Sequence, residues 1–532
     1  MIRRRTTRHA DRVGLGFVAT VTTVTTVTTV RTVTTVGTVT TVAVLTAILF
    51  AGATTWPATA QDRDTAPTSR IHLPLVARAV DRRDLPGAVE APPTPPATAT
   101  SDAAPSPTVP AEPTPTGPPP SPTVRACAGT SLPERVGITR SPIDGALRAS
   151  DEYFPLPVAP RADGGALVAW REQRSATVRV GTFSAATGGF VPPALSFPAE
   201  EVHALVAHDD GGGALAVVDG DPDIYSPKYC RGASTPDKAL CGKMDVWRFD
   251  AAGETVWRRT VTGKTNVDRD GAEFVWWYQH TARLVWTGDA YGLYYRNASS
   301  SPRPGVAGEI DIHAADAFRV LSPEGGLLTH AWRWGCSHSW AVRLAFNGAF
   351  GTACHGDGFP NAFHVVVADR TAQLGEATLQ ANVDPTKRAL GGLVADGDGF
   401  WLLYQAPDGG STGGSSGAGT MRLHLARIDN AGRIAADDVL AAATNLPTQY
   451  PFRPYLAAYG GDRLLAGWHS GGQLQLAVLD GRTGDLVEGP VGVDAQIDAW
   501  NDFVAFPNGD VGWAYTADRA STIDFVRVDG CR

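Results

Sequence analysis

The chain has 532 residues, of which only 19% are charged, with 58 glycines, 39 prolines and 3 methionines. That balance favours many short strands joined by tight turns over long helices. A formal net charge of −8 leaves no basic footprint and argues against nucleic acid as a partner.

The chain opens with the basic stretch "MIRRRTTRHADR", and an apolar run "AVLTAILFAGA" follows at 43–53. "ATA" at 58–60 offers small residues for cleavage before Gln61, so residues 1–60 are read as a signal peptide. Inside it, "VTTVTTVTTVRTVTTVGTVTTV" repeats with a period that fits neither strand nor helix, and is read as low-complexity sequence. The rival is an uncleaved membrane anchor, because the Val/Thr/Ala run exceeds a usual signal core.

Residues 61–124 are read as a disordered Pro/Thr/Ala-rich linker, since they have too few bulky apolar side chains to offset their ordering entropy. One island, "RIHLPLVAR" at 70–78, interrupts it. Six cysteines, Cys127, Cys230, Cys241, Cys336, Cys354 and Cys531, follow the export signal. An even number in an exported chain is read first as three disulfides.

From residue 125 to 532 two units alternate. The first is a Gly/Asp turn running into a strand, as in "ADGGALVAW" (162–170), "DDGGGALAVV" (209–218), "DGDGFWLLY" (396–404) and "PNGDVGWAY" (507–515). The second is a strand running into a turn, as in "VRVGTFSAATGGFV" (178–191), "DVWRFDAAGETVW" (245–257) and "LQLAVLDGRTGDLV" (474–487). Each occurs seven times, at a shortest spacing of roughly 47 residues, which suits four-stranded propeller blades. The predicted fold class is all-β, a seven-bladed β-propeller, with six or eight blades allowed if a degenerate repeat escapes the count.

The last repeat, "DFVRVDGCR" (524–532), has no fourth strand. "PERVGITRSP" (133–142) precedes the first blade without a place of its own, and is predicted to supply that strand and close the ring. Cys127 and Cys531 would then pin the seam. Cys230 and Cys241 flank one loop, and Cys336 and Cys354 frame the first hairpin of the fourth blade.

Call the strands of a blade A to D from the centre outward. The B–C connections carry the insertions: 219–243, 297–315, 354–362 and 406–419. This one-sidedness marks the B–C face of blades two to four as the binding face. There, "QHTARLVW" (279–286) and "SHSWAVRLAF" (337–346) each place a His before strand A and an Arg inside it. "DIHAADAF" and "CHGDGF" add His and Asp from the following loops. The candidate ligand-binding residues are therefore His280, Arg283, His313, Asp316, His338, Arg343, His355 and Asp357. Such a set suits an anionic or polyhydroxylated ligand, or acid–base chemistry. The plain alternative is that they satisfy turns and neighbouring carboxylates. Zinc on Cys336, His338, Cys354 and His355 matches no familiar ligand spacing and gives way to the disulfide.

"NVDRDGAE" (266–273) resembles the start of a calcium loop, with Asn266, Asp268, Asp270 and Glu273 as candidate ligands. The twelfth position of that frame is Trp277, so the closing acid is missing. Calcium is thus the one candidate cofactor. The aromatic run "FVWWYQH" (274–280), with Trp332, Trp334 and Trp340, is assigned mainly to packing between blades.

The chain lacks a sialidase-type Asp-box and recurring WD or kelch patterns, and its GxSxG matches fall only in the Gly/Ser-rich 406–419 insertion. Through its repeated Gly/Asp turns and strands, it resembles secreted bacterial β-propeller proteins as a broad class, over about 400 residues. That resemblance implies a fold and leaves activity open. The expected function is a secreted or cell-surface, non-catalytic and monomeric binding module for a glycan or an extracellular protein. The alternative is an extracellular polysaccharide hydrolase or lyase using His and Asp of blades three and four.

Overall fold

The computed structural model describes residues 130–143, 155–172, 175–220, 241–262, 272–276, 281–302, 310–332, 335–408, 420–447, 453–516 and 521–530. The signal segment, the linker with its 70–78 island, Cys127, Cys230, Cys531, His280, Asn266, Asp268 and Asp270 lie outside them. The chain divides into two units, Met1–Ser121 and Pro122–Arg532, and every described residue belongs to the second.

Strand β1 (Val136–Pro142) comes first. A four-stranded meander follows: β2 (Val158–Pro160), β3 (Ala166–Arg171), β4 (Val178–Ser184) and β5 (Gly189–Phe197). The next is β6 (Glu201–Ala207), β7 (Gly213–Gly220), β8 (Cys241–Phe249) and β9 (Thr255–Thr260). A short strand, β10 (Ala272–Trp276), leads into β11 (Ala282–Trp286), β12 (Tyr291–Pro302), β13 (Ile310–Leu321) and β14 (Leu327–Trp332). Two more meanders are β15 (Val342–Phe346), β16 (Phe350–His355), β17 (Phe363–Ala368), β18 (Gln373–Leu379), and β19 (Ala389–Asp396), β20 (Gly399–Pro407), β21 (Met421–Asp429), β22 (Ile434–Val439). Then come β23 (Tyr455–Tyr459), β24 (Arg463–Ser470), β25 (Gln473–Asp480), β26 (Leu486–Val493), and finally β27 (Val504–Ala505), β28 (Val511–Tyr515) and β29 (Thr522–Val528).

The first strands of the meanders form a closed circle. β2 touches β6, and contacts run on through β11, β15, β19, β23 and β27 back to β2. The chain is therefore a β-propeller, as the repeats predicted. The burial pattern explains why its repeats read as apolar runs rather than strict alternation. β16, β17, β20 and β28 are buried at every position, because a central strand has a neighbouring blade against each face. The outermost strands β9 and β22 are mostly exposed, and β9 is mostly polar.

The Asp/Gly turns are built alike. Asp163 and Asp210 each accept an N–H two residues on, from Gly165 and Gly212, at 2.9 Å. The glycines between, Gly164 and Gly211, hold φ of 81° and 88°, which a side chain would resist. Arginines of the third strand reach back to the A–B turn of their own blade: Arg248 to Asp210, Arg427 to Asp398 and Arg527 to Asp510.

Ring closure follows the predicted route. β1 pairs antiparallel with β29 from Val136↔Val528 to Pro142↔Thr522, giving the sheet order β1-β29-β28-β27. Arg140 grips the buried Asp524 carboxylate with two bonds of 2.8 Å. Arg135 adds a bond to the Tyr459 hydroxyl at 3.0 Å and an ion pair with Glu488.

Two features differ from expectation. The insertion at 297–315 is not a plain loop, because β12 and β13 pair out to Pro302↔Ile310. β10 pairs with both β12 and β8, joining two meanders into a nine-stranded sheet. That strand carries Glu273, which is fully buried. Its Oε1 accepts from the Tyr295 hydroxyl and Asn297 Nδ2, both at 2.6 Å, and Arg319 lies 3.0 Å from Oε2. Glu273 is thus an internal counter-ion to Arg319.

Cys336 and Cys354 form a disulfide, with Cα atoms 6.0 Å apart. Among the described residues no helix is long and apolar enough to cross a membrane.

Candidate functional site

The connection into β15 (residues 335–341) and the B–C loop of the same blade (356–362) are fastened to each other. The disulfide joins them at their bases. Ser337 N–H donates to Phe359 O at 3.2 Å, and Gly356 N–H to Ala362 O at 3.0 Å. Arg388, buried beneath, donates to Asn361 Oδ1 at 2.7 Å and to the Gly356 carbonyl. Asp316 on β13 accepts the N–H groups of Gly335 and Cys336 at 2.9 and 3.1 Å. Burial pushes the Asp316 carboxyl up to about 6, against the pull of those donors.

On this base stands an exposed cluster. His338 holds a left-handed φ of 47°, and its N–H donates to Ala314 O at 2.8 Å. Such a conformation in a non-glycine residue costs energy that the surroundings must supply. It sets the ring 3.2 Å from Asp357 Oδ1. Trp340 Nε1 donates to Asp357 Oδ2 at 3.3 Å, and the His313 ring centroid lies 5.9 Å from that of His338. Phe359 is 84% exposed on the fastened loop.

The hydrogen bond to Asp357 raises the His338 pKa above 6.5, outweighing burial, whereas burial and the His338 neighbour lower that of His313. The ion pair therefore contributes fully below pH 6.5 and is lost as pH rises through the raised value. An NMR titration of the His338 imidazole should give a midpoint above 6.5, and Asp357→Asn should bring it down. A midpoint at or below 6.5 in the unaltered protein would contradict the pairing.

Arg283 and Arg343 belong to a second group. Both begin inner strands, and each donates through one terminal nitrogen to the preceding carbonyl, Ala282 or Val342, at 2.8 Å. They converge on Asp502, with Arg283 Nε 2.6 Å from Oδ2 and an Arg343 terminal nitrogen 3.5 Å from Oδ1. Burial raises the Asp502 carboxyl, but the two guanidinium groups reverse this and leave it below the ordinary carboxylate range.

The eight predicted ligand residues thus separate. His313, His338 and Asp357 meet at the rim, and Arg283 and Arg343 meet at the centre. Asp316 and His355 are buried supports. The His355 ring lies 5.6 Å from Trp340 and 5.0 Å from Phe363. Burial and the nearby Arg388, Arg453 and Arg296 push its pKa well below 6.5. His280 lies outside the described residues.

Sequence reasoning did not single out Phe359 or Asp502, and it assigned Trp340 mainly to packing. A signal for Asp502 exists: "NDFVAF" (501–506) matches "ARLVW" and "VRLAF" at the start of an inner strand, with Asp where they have Arg. Nothing in the sequence distinguishes Phe359 from a core phenylalanine.

The fold and this arrangement define a β-propeller with a built-up rim and a charged centre. No protein-family model matches the chain, and no curated protein matches it. Among solved structures, the hydrazine synthase of Kuenenia stuttgartiensis is similar at 12% identity, covering 70% of this chain and 96% of that one, with a TM-score of 0.43. The Dos1 propeller is similar at 8%, covering 73% and 84%, TM-score 0.41. The polysaccharide lyase Uly1 is similar at 9%, covering 71% and 90%, TM-score 0.40. Enzymes and a propeller described by fold alone stand together here, and at these values none bears on function.

Proposed function

We propose that the protein is a secreted, non-catalytic module that binds a glycan at the rim formed by His313, His338, Trp340, Asp357 and Phe359. The observation that carries this reading is Phe359, an aromatic ring 84% exposed on a loop fastened at both ends. A ring held out to solvent is available to stack on a sugar face, while the His338–Asp357 pair supplies a donor and an acceptor for hydroxyl groups. Among the described residues, the other exposed large apolar side chains are scattered, several on outer strands, such as Val191, Val256 and Leu486. A protein partner would call for a contiguous apolar patch instead. The disulfide, and an N-terminal segment that reads as an export signal, agree with an extracellular setting.

A second reading, a polysaccharide hydrolase or lyase, draws on the same pair: His338 oriented by Asp357 at 3.2 Å is an arrangement for proton transfer.

Binding to a panel of neutral and acidic polysaccharides tests the proposal. Phe359→Ala should weaken binding by about tenfold or more, and His338→Ala should weaken it further, with the fold intact. Release of new chain ends from any polysaccharide, abolished by His338→Ala, would transfer the assignment to the enzyme. Unchanged binding in both variants would remove the rim from the reading.

A further inference from the structure

The circle of inner strands encloses a cavity of about 630 Å³. Its walls are largely apolar, with Leu205, Leu284, Leu344, Leu393, Leu456 and Phe503 among them. Among its described lining residues Arg283, Arg343 and Asp502 are charged at neutral pH, which leaves one positive charge in excess. Arg343 is only 3% exposed. Among the described residues, the buried Arg343 Nε and one terminal nitrogen of Arg283 make no hydrogen bond. Arg453, its guanidinium 3.9 Å from the Trp500 ring centroid, adds a cation whose field reaches Arg343 and Asp502, and Asp498 adds an anion whose field reaches Tyr455.

Burying excess charge and unused donors is costly, and a bound ligand is one way native structures satisfy such groups. An apolar chamber of this size with a few convergent polar groups is the usual form of a small-molecule site.

We infer that the central cavity is a second binding site, for a small carboxylate with an apolar body. The carboxylate pairs with Arg283 and Arg343, and the apolar body lies along the leucine-lined walls. Burial and the neighbouring Arg283 and Arg453 push the Arg343 guanidinium down to about 9 in spite of Asp502, a shift that a bound anion would relieve. The site is independent of the rim and of the glycan reading, and takes a different class of ligand.

The test uses the full-length protein, with benzoate and hexanoate as probes and their neutral amides as controls, followed by calorimetry or ligand-observed NMR. A carboxylate should bind about tenfold or more tightly than its amide. Arg343→Met should lose that preference. Asp502→Asn removes a competing carboxylate and should strengthen binding several-fold, so the proposal stays testable if Arg343→Met does not fold. Phe359→Ala should leave probe binding unchanged, which separates this site from the rim. Absence of carboxylate binding at millimolar concentration, equal binding of the amides, or no gain from Asp502→Asn would overturn the proposal.

Discussion

Deleting residues 132–142 from the full chain is expected to lower stability by at least about 3 kcal/mol and to make the protein associate. Three losses combine. Leu132, fully buried in the core cluster with Trp513 and Tyr459, goes first, and removing a buried leucine typically costs about 2–5 kcal/mol. The seven-residue ladder to β29 goes next, exposing the N–H and C=O groups of a strand that is otherwise an inner member of its sheet. Asp524 then loses the bidentate grip of Arg140. Arg140 itself is 63% exposed, so the pair alone carries little weight and the ladder and core dominate. Urea unfolding and light scattering measure both effects. A deletion variant that stays monodisperse with an unshifted urea midpoint would show that β1 does not close the ring.

Removing the disulfide, through Cys336→Ala with Cys354→Ala, should cost about 3 kcal/mol for a loop of this length in the chain-entropy account. The separation of 18 residues spans the β15–β16 hairpin, whose strands are already paired from Val342↔Cys354 to Phe346↔Phe350. The hairpin should therefore survive, and the loss should concentrate in segments 335–341 and 356–362. Faster amide exchange there, with β16 unchanged, is the expected signature, together with weaker glycan binding than the stability loss alone explains. Uniform exchange throughout the blade, or rim binding equal to that of the unaltered protein, would show that the bond holds no site.

Much of the fold was legible because propeller blades repeat one local rule. A turn needs Asp to accept an N–H and Gly to take a positive φ, as in Asp163–Gly164 and Asp210–Gly211. Strands between such turns need apolar residues on both faces. Both requirements act within a few residues, so they recur visibly along the chain. The unassigned 133–142 segment was legible for a related reason: a final repeat short of one strand leaves an open edge that something must cover. β10 was not legible, because its pairing with β8 and β12 is non-local and its residues read as an aromatic-rich connection.

The site was legible by composition and only partly by arrangement. The polar residues of the B–C face were visible as types, and the Cys336–Cys354 staple as a pair. Which of those residues meet was not visible. His355 and Asp357 are neighbours in the chain, yet the end of β16 turns one into the core and leaves the other at the rim. Arg283 and Arg343 resemble each other locally, but their common partner, Asp502, lies in the last blade and reaches them only because the ring closes. Phe359 carries no mark of exposure in its own identity. By itself the sequence determined the kind of strand, the turns, their repetition and the staple, all of which depend on neighbours in the chain. Only the tertiary structure decided the rim cluster, the charged centre and the buried supports. Those depend on distances between blades, and ring closure sets such distances without leaving a local trace.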